Sequence, residues 1–349
     1  MADRWQDALE QHARDVLPAP LLEYVLQGAR EGVTAREATA AWAEVRFTPR
    51  VLRDVTEVDL TSRLLGRPSP VPWGIAPTTL QRAVHADGEV AMALAARDAG
   101  AVVVVSSNAG STFAEIGATG ARWWLQAYLP QDRSLAVPLL DRAVAAGAEA
   151  VVLTVDTPVV GTKYAAGEEV VWDTVDPALL RVNFDPGYAH HPGATKATDL
   201  GDEDVAWLAE RTGLPVVVKG VLRDDDARRC VAAGATAVWV SNHGGRQLDR
   251  AASTASCLAA VRASLPPGTP VLVDGGVRSG LDVLAALALG ADHVFLGRLP
   301  LLALVEGRDG VARALARLRE ETVDALRLAG CRTLAEARGV APPARLHRP

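Results

Sequence analysis

The sequence AVVLTVD, residues 150–156, decides the fold class of this chain. It is a short, nearly uninterrupted run of β-branched and leucine side chains, which is typical of a strand buried on both faces of a parallel sheet. Runs of the same kind recur on either side of it. Together they give eight candidate strands: Val71–Ala76, Val102–Ser106, Trp123–Tyr128, Ala150–Asp156, Pro215–Lys219, Ala237–Asn242, Pro270–Asp274 and His293–Gly297.

Segments with helical periodicity separate most of these strands. The clearest are Gly88–Ala99, Arg133–Ala146, Asp224–Ala233, Thr254–Ser264 and Ser279–Leu289. Gly-Ala steps at Gly100, Gly147, Gly234 and Gly290 are typical of left-handed helix caps before the next strand. Eight strands in strict alternation with helices predict an α/β fold of the (β/α)8 type, a TIM barrel, rather than an open sheet. No GxGxxG follows the first strand, which disfavours nicotinamide binding.

Two stretches fall outside the alternation. Residues 1–70 are expected to form a helical lead-in followed by irregular chain across the barrel bottom. Residues 162–200 form a long insertion after the fourth strand, where a substrate lid would lie. Its aromatic residues favour a lid over a disordered linker: Trp172, Phe184 and Tyr188. Its acidic residues argue against membrane insertion: Glu168, Glu169, Asp173 and Asp176. We therefore interpret residues 1–349 as a single domain.

Composition excludes several classes of function. The net charge is -6 and the pI is about 5.7, whereas nucleic-acid binding requires a basic patch. The cysteines Cys230, Cys257 and Cys331 have no metal-ligand spacing and predict reduced thiols. The N-terminus is charged and lacks the apolar core of a signal peptide, and no stretch approaches the ~20 apolar residues of a membrane span. A cytoplasmic protein without nucleic-acid, membrane or metal partners is expected.

Polar residues cluster where the candidate strands end. In a barrel the loops after the strands converge, so residues at these positions are predicted to line one site. They are Thr78, Thr79, Ser106, Gln126, Tyr128, Thr154, Asp156, Lys219, His243, Arg246, Asp274, Arg278, Gly297 and Arg298.

The last two strand ends carry a phosphate-binding pattern. Asp274-Gly-Gly-Val-Arg278 leads into a helix that begins near Ser279, and Gly297-Arg298 follows the eighth strand. Glycines let backbone N–H groups approach a phosphate, and arginines supply charge-assisted hydrogen bonds. Tight turns with surface arginines are the alternative interpretation.

The most specific segment is SNHGGRQLD, residues 241–249. It places a histidine base and an arginine anion clamp in one loop at a strand end. Asp156, at the end of the fourth strand, could accept the second N–H of His243 and stabilise its protonated form.

Seven motifs occur in order along the chain: APTTLQRAVHADGE, WLQAY, LTVDTP, VVVKGV, SNHGGRQLD, DGGVRSG and FLGR. Together they resemble the FMN-dependent 2-hydroxy-acid oxidase/dehydrogenase family, which includes glycolate oxidase, lactate oxidase and monooxygenase, and mandelate dehydrogenase. The resemblance runs from about Leu17-Pro18 to Gly330-Cys331.

The resemblance implies a role for each residue of the site. The flavin ring would be contacted by Pro77, Thr78, Ser106, Gln126 and Thr154, with Thr79 beside its reactive edge and Lys219 at the edge that becomes anionic on reduction. Asp274 would bind the ribityl chain, and the phosphate would be held by Gly276, Arg278, Gly297 and Arg298. The substrate would contact Tyr24, Tyr128 and Arg246, with His243 as base and Asp156 as its partner. A homotetramer or octamer is implied.

Three residues depart from the family pattern. Lys163 stands where the family has an arginine that binds the substrate carboxylate, and lysine keeps the charge but loses the two-pronged fit. Asn108 replaces a bulky aromatic residue, and Thr79 replaces alanine or glycine. A conservative exchange at Lys163 is one interpretation, and a roomier, more polar pocket that also uses Asn108 is the other.

We therefore expect FMN-dependent oxidation of a 2-hydroxy acid, larger than glycolate or lactate, to the 2-oxo acid. The electron acceptor after the flavin is left open between O2, a quinone and another redox protein. The residues also leave open whether hydrogen leaves the substrate carbon as hydride or as a proton. The alternatives are a flavoenzyme of the same fold acting on a non-carboxylate or carrier-bound alcohol or amine, and a flavin-binding protein without turnover.

Overall fold

Parallel strands pair edge to edge in chain order and close into a barrel, in which the last strand also pairs with the first. The computed structural model describes residues 4–164 and 170–341, and within these ranges the barrel has eight strands. A preceding antiparallel hairpin is formed by β1 (Ser62–Leu64) and β2 (Arg67–Ser69). The barrel strands are β3 (Trp73–Ile75), β4 (Val102–Ser106), β5 (Trp123–Ala127), β6 (Val151–Thr154), β7 (Val216–Val221), β8 (Ala237–Val240), β9 (Val271–Val273) and β10 (His293–Leu296).

Helices follow every barrel strand and surround the barrel. The described helices are α1 (Trp5–Val16), α2 (Ala19–Leu26), α3 (Val33–Ala43), α4 (Gln81–Val84), α5 (Gly88–Asp98), α6 (Phe113–Ala118), α7 (Val137–Ala145), α8 (Val171–Thr174), α9 (Asp202–Thr212), α10 (Asp224–Ala232), α11 (Thr254–Ser264), α12 (Gly280–Ala288), α13 (Arg298–Ala303), α14 (Gly307–Leu328) and α15 (Leu334–Ala337). None of them, over residues 4–164 and 170–341, combines the length and apolar character needed to cross a membrane.

The predicted (β/α)8 fold is confirmed, with small differences at the strand ends. The first barrel strand, for example, pairs over Trp73–Ile75 rather than Val71–Ala76, although its flanking residues are buried too. An apolar run in the sequence reports burial, whereas a strand boundary depends on backbone pairing, so the two differ by one or two residues. The four predicted cap glycines all have positive φ, between 71° at Gly100 and 105° at Gly290.

Large side chains fill the barrel interior. The rings of Trp239 and Phe295 lie 4.1 Å apart, and those of Trp124 and Phe295 lie 5.7 Å apart. Gly74 on β3 makes room for this cluster, because a Cβ there would lie 2.5 Å from a ring carbon of Phe295. The hairpin adds Leu64, which is 1% exposed, to the same cluster.

The N-terminal segment contacts both ends of the barrel. The β1–β2 hairpin covers the bottom, as expected for residues 1–70, and hydrogen-bonds there to His293 at the start of β10. The chain after α2 instead reaches the opposite end, where the Ala29 N–H donates to the Gly245 carbonyl at 2.8 Å. One end of the barrel is thus closed, and the other is open to the strand-end loops.

Replacing a core ring of the barrel should destabilise the whole fold. Trp124→Ala is expected to lower the free energy of unfolding by about 3–5 kcal/mol, because the surrounding strands cannot fill the cavity. Trp172→Ala, at a tryptophan that is 54% exposed, is the matched control and should cost about 1 kcal/mol or less. Urea unfolding followed by circular dichroism measures both. Equal losses would contradict this account of the core.

Candidate active site

A histidine and an aspartate from two strand ends form a hydrogen-bonded pair at the open end of the barrel. His243 follows β8 and has a left-handed backbone, with φ of 57°. Its N–H donates to the Ser241 hydroxyl at 3.1 Å, which fixes this turn. The ring then points to the end of β6, where Nδ1 lies 2.8 Å from Oδ1 of Asp156. Since Nδ1 is held by the carboxylate, Nε2 is the ring nitrogen left to face a substrate.

Asp156 is itself held in place by its neighbours. The Thr157 hydroxyl donates to the same Oδ1 at 3.1 Å. Gly220, at an irregularity in β7, packs directly against the aspartate, because a Cβ there would lie 2.6 Å from the Cβ of Asp156. The carboxylate therefore has little freedom to turn away from His243.

Electrostatics favour a neutral histidine beside an ionised aspartate. Burial lowers the pKa of His243 below its usual value, and the charge and hydrogen bond of Asp156 offset this only in part. Burial acts to raise the pKa of Asp156, but His243 and Lys219 together hold it below the usual value. The pair can thus accept a proton at Nε2 and stabilise the resulting imidazolium.

Lys219 supplies a buried positive charge next to this pair. It is 4% exposed, its Nζ donates to the Ser241 hydroxyl at 2.9 Å, and it lies 3.2 Å from Oδ2 of Asp274. Ser241 thus connects the lysine to the backbone of His243. The other oxygen of Asp274, Oδ1, is buried and lacks a hydrogen-bond partner among the described residues.

Polar side chains on three consecutive strands form a hydrogen-bonded row beside Lys219. The Ser106 hydroxyl donates to Oε1 of Gln126 at 3.3 Å, and Nε2 of Gln126 donates to the Thr154 hydroxyl at 3.1 Å. Thr154 is paired in register with Lys219 on the next strand. The structure thus brings these four strand-end residues together, as the sequence predicted.

The loop after β3 provides the adjoining wall. Pro77 and Thr78 follow β3 directly, and the Thr78 hydroxyl accepts a hydrogen bond from Gln81 at 3.1 Å. The Thr79 hydroxyl donates to the Asn108 carbonyl at 2.8 Å. This bond joins two of the three loops at which the sequence departs from the family pattern.

Arginines converge on the other side of the open end. The Arg298 guanidinium donates to the carbonyls of Val25, Gln27 and Gly244 at 3.0, 3.1 and 3.0 Å. Arg246 donates to the carbonyls of Tyr24 and Gln27 at 2.6 and 2.9 Å. Most of these accepting carbonyls lie at the C-terminal end of α2. Carbonyls at a helix end lack intrahelical partners and carry partial negative charge.

The carbonyls hold these cations without neutralising them. Burial, together with the charges of Arg278 and Arg246, lowers the pKa of Arg298 to about 9. Burial also lowers the pKa of Arg278, whose side chain donates to the Val277 carbonyl at 2.9 Å. Such a group of guanidinium ions is suited to an anion such as phosphate.

Two glycines shape the same corner. Gly276 lies flat against α3, since a Cβ there would be 2.3 Å from the Ala38 carbonyl oxygen. A Cβ on Gly297 would meet nothing within 4 Å, so the space in front of its backbone is open. The chemistry of the site thus fits FMN: cations for the phosphate, the bare Asp274 oxygen for ribityl hydroxyls and the polar row for the flavin ring.

Tyr24, Tyr128 and Lys163 lie at the mouth of the site. The Arg246 guanidinium lies 4.6 Å from the centre of the Tyr24 ring. Burial, and secondarily Asp156, raises the pKa of Tyr128, so its hydroxyl remains a donor. The Lys163 ammonium donates to the carbonyls of Gly161 and Arg246, each at 2.7 Å, and burial lowers its pKa to about 8.

The insertion packs against these tyrosines where it is described. Trp172 makes an edge-to-face contact with Tyr24 at 5.4 Å, and Lys196 lies over the ring of Tyr128 at 3.7 Å. Phe184 and Tyr188 pack on each other at 4.3 Å. Glu168 and Glu169 lie outside the described residues.

Three residues of the site were not predicted from the sequence. Thr157 directly follows Asp156, so extending the strand-end rule by one position would have found it, and Ser241 lies in the SNHGGRQLD segment two residues before His243. Lys196 lies in the irregular insertion, far from any strand end, and no periodicity or motif marks it.

A closed barrel with an anion corner, a polar row and a histidine–aspartate pair defines a flavin-dependent oxidoreductase. The chain belongs to the FMN-dependent dehydrogenase family, whose model matches residues 13–341. It is 40% identical to 4-hydroxymandelate oxidase from Amycolatopsis orientalis, over 95% of each chain. It is 39% identical to glycolate oxidase from Spinacia oleracea, over 93% of this chain and 91% of the relative.

A solved structure of mandelate oxidase with (S)-4-hydroxymandelic acid has the same fold. Its TM-score is 0.87 at 39% identity, with 96% of this chain and 97% of that chain covered. The predicted family, barrel and FMN cofactor are thereby confirmed.

Removing a cation from the anion corner should weaken FMN binding. Arg298→Gln deletes a charge and its charge-assisted hydrogen bonds, so the Kd for FMN is expected to rise about tenfold or more. Arg228→Gln, at an exposed arginine of α10, is the matched control and should leave the Kd unchanged. Flavin fluorescence titration of the apoprotein measures both. Equal affinities would remove Arg298 from the phosphate site.

Proposed function

We propose that this enzyme oxidises a 2-hydroxy acid larger than glycolate or lactate to the corresponding 2-oxo acid. The observation that carries the proposal is the 2.8 Å pair between His243 and Asp156, on both of which the charge of Lys219 acts. The relatives support it, because they are named for the oxidation of 4-hydroxymandelate and glycolate.

In this proposal His243 is the base and Asp156 its partner. Nε2 takes a proton from the substrate, and the Asp156 carboxylate stabilises the imidazolium and fixes its orientation. The chemistry that FMN supplies when bound is the acceptance of two electrons from the substrate. The Tyr128 and Tyr24 hydroxyls donate hydrogen bonds to the substrate, and Arg246 and Lys163 attract its carboxylate.

The cofactor would be held by the residues described above. Pro77, Thr78, Thr79, Ser106, Gln126 and Thr154 would contact the flavin ring, with Lys219 placing positive charge where it stabilises the reduced ring. Asp274 would bind the ribityl chain, and Gly276, Arg278, Gly297 and Arg298 the phosphate. We take the whole chain, 1–349, as one unit, because α2 and the barrel loops build this site together.

Two residues at the mouth support a substrate larger than glycolate. Asn108 and Thr79 have small polar side chains, so neither places a large ring in the pocket, and the Thr79 hydroxyl donates to the Asn108 carbonyl. We take Asn108 as a residue that contacts the substrate. The pocket then has room for a side chain beyond C2.

One observation favours the second candidate, a substrate without a free carboxylate. The Lys163 ammonium already donates to two backbone carbonyls, which leaves it one N–H for a substrate. An ester, amide or carrier-bound alcohol would need less positive charge there. We rank it second, because Arg246 remains beside the site.

We further propose a homotetramer or octamer in the cytoplasm, with O2 or another redox partner as the final electron acceptor. The unpaired cysteines support a reducing compartment. Light scattering gives the assembly mass, and oxygen consumption during turnover tests the acceptor.

His243→Ala should abolish most of the activity while FMN stays bound. Loss of a general base is expected to slow flavin reduction by ~10²-fold or more. His12→Ala, at an exposed histidine of α1, is the control and should be unaffected. Anaerobic stopped-flow absorbance measures both rates. A variant that is reduced at the native rate would remove His243 from this role.

A substrate panel read at the flavin absorbance tests the proposed reaction. We expect aryl 2-hydroxy acids such as mandelate to reduce the flavin faster than glycolate or L-lactate. Lys163→Arg should preserve or improve turnover of a free 2-hydroxy acid, because arginine offers two parallel hydrogen bonds to its carboxylate. Efficient oxidation of glycolate with aryl acids rejected would overturn the size argument. Reduction only by esters or amides would favour the second candidate.

A further inference from the structure

Lysine is almost absent from this chain. Of its 36 lysine and arginine residues only three are lysines, Lys163, Lys196 and Lys219, and all the other basic residues are arginines. Yet all three lysines lie at the open end of the barrel, around the site. Lysine offers a compact charge whose pKa responds to burial, whereas arginine stays charged. Lys219 and Lys163 already have roles in the proposed reaction, which leaves Lys196.

Backbone hydrogen bonds fix Lys196 against the barrel. The insertion runs beside the loop after β5, where the Gln131 N–H donates to the Thr195 carbonyl at 2.7 Å and the Ala197 N–H donates to the Leu129 carbonyl at 2.9 Å. These bonds lie on either side of Lys196 and hold its backbone beside this loop. Its ammonium lies 3.7 Å from the centre of the Tyr128 ring.

The ammonium of Lys196 has no acidic partner. Among the described residues it makes no ion pair and no hydrogen bond, and it lies over the face of the Tyr128 ring. Burial lowers its pKa to about 8; Asp156 opposes this and Arg181 adds to it. Asp156 thus acts on the lysine through its charge, but among the described residues no ion pair joins the two side chains. A half-buried cation in this setting is stabilised by an arriving anion.

The mouth of the site carries more positive charges than one substrate carboxylate needs. Arg246 and Lys163 lie on one side of the site and suffice for one carboxylate. Lys196 interacts electrostatically with Lys163 but lies over Tyr128, and it adds a positive charge that a monoacid would leave unmatched.

We propose that Lys196 forms a second anion subsite, and that the substrate is a 2-hydroxy acid with a second acidic group that binds there. This inference rests on the proposed oxidation of a 2-hydroxy acid. The second group takes no part in the proposed oxidation at C2. Lys196 is therefore a specificity-determining residue.

Matched pairs of ligands that differ by one acidic group provide the test. Mandelate is compared with 4-carboxymandelate, and 2-hydroxyhexanoate with 2-hydroxyadipate, as substrates of the holoenzyme. The corresponding 2-oxo acids are titrated by calorimetry, so that binding is measured apart from turnover. In the native enzyme at least one diacid is expected to bind more tightly than its monoacid.

Lys196→Met keeps most of the length of the unbranched side chain and removes its charge. It should raise the Kd and KM of the preferred diacid about tenfold or more, as expected for one lost charge-assisted hydrogen bond, and change those of the monoacid less than about twofold. Lys196→Arg should restore part of the diacid preference. FMN content and Tm are recorded for each variant as controls for folding.

The native enzyme alone gives a second test if the methionine variant does not fold. The ratio of monoacid to diacid Kd should fall between about pH 7 and pH 10, as the Lys196 ammonium loses its proton. The charged or titratable groups that face it are Tyr128, Asp156, Arg181 and Lys163. Lys163 titrates near the same pH, but it acts on the 2-carboxylate that both ligands share, so its effect cancels in the ratio.

Several results would overturn the inference. They are equal affinity for monoacids and diacids, equal losses for both in Lys196→Met, and a Kd ratio that does not change with pH. Equal losses would mean that Lys196 binds the 2-carboxylate or only supports Tyr128. If neither monoacids nor diacids reduce the flavin, the proposed function itself has failed.

Discussion

The pairing of β10 with β3 closes the barrel, and the geometry of the site depends on this closure. It places β10, the last strand of the barrel, beside β3, the first barrel strand, with Val294 opposite Trp73. Once the ring is closed, the eight strand ends lie around one opening, and residues far apart in the sequence become neighbours. Asp156 and His243 meet in this way across 87 positions of the chain. The packed interior around Trp239 and Phe295 keeps this opening at one end.

The N-terminal segment completes what the barrel begins. The carbonyls at the end of α2 accept hydrogen bonds from Arg246 and Arg298, which belong to two different strand-end loops. A helix end can hold a cation through its unpaired carbonyls without cancelling its charge. The arginines are thereby oriented and remain able to attract an anion. This arrangement explains why a segment outside the barrel belongs to the site.

The insertion packs over the mouth of the site. It places Trp172 on Tyr24 and Lys196 on Tyr128, so it covers both tyrosines expected to bind substrate. On the flavin side of the site, Thr79 is the residue that departs from the family pattern. In our proposal, Lys163, Asn108 and Lys196 set the charge and the space available at the mouth. The proposed reaction then depends on the strand ends, and the choice of substrate on Asn108 and the insertion.

The sequence by itself determined the barrel, its helix caps and most of the residues at its open end. Apolar runs, helical periods and glycine turns are local properties, and a closed barrel puts every strand end at the same place. The tertiary structure alone decided which groups are in contact. Examples are the hydrogen bonds of Lys163 to two carbonyls, the hydrogen bond of Arg298 to the Val25 carbonyl and the position of Lys196 over Tyr128. Most of these contacts join residues that lie far apart in the sequence. They depend on how the whole chain packs, and no local pattern encodes them.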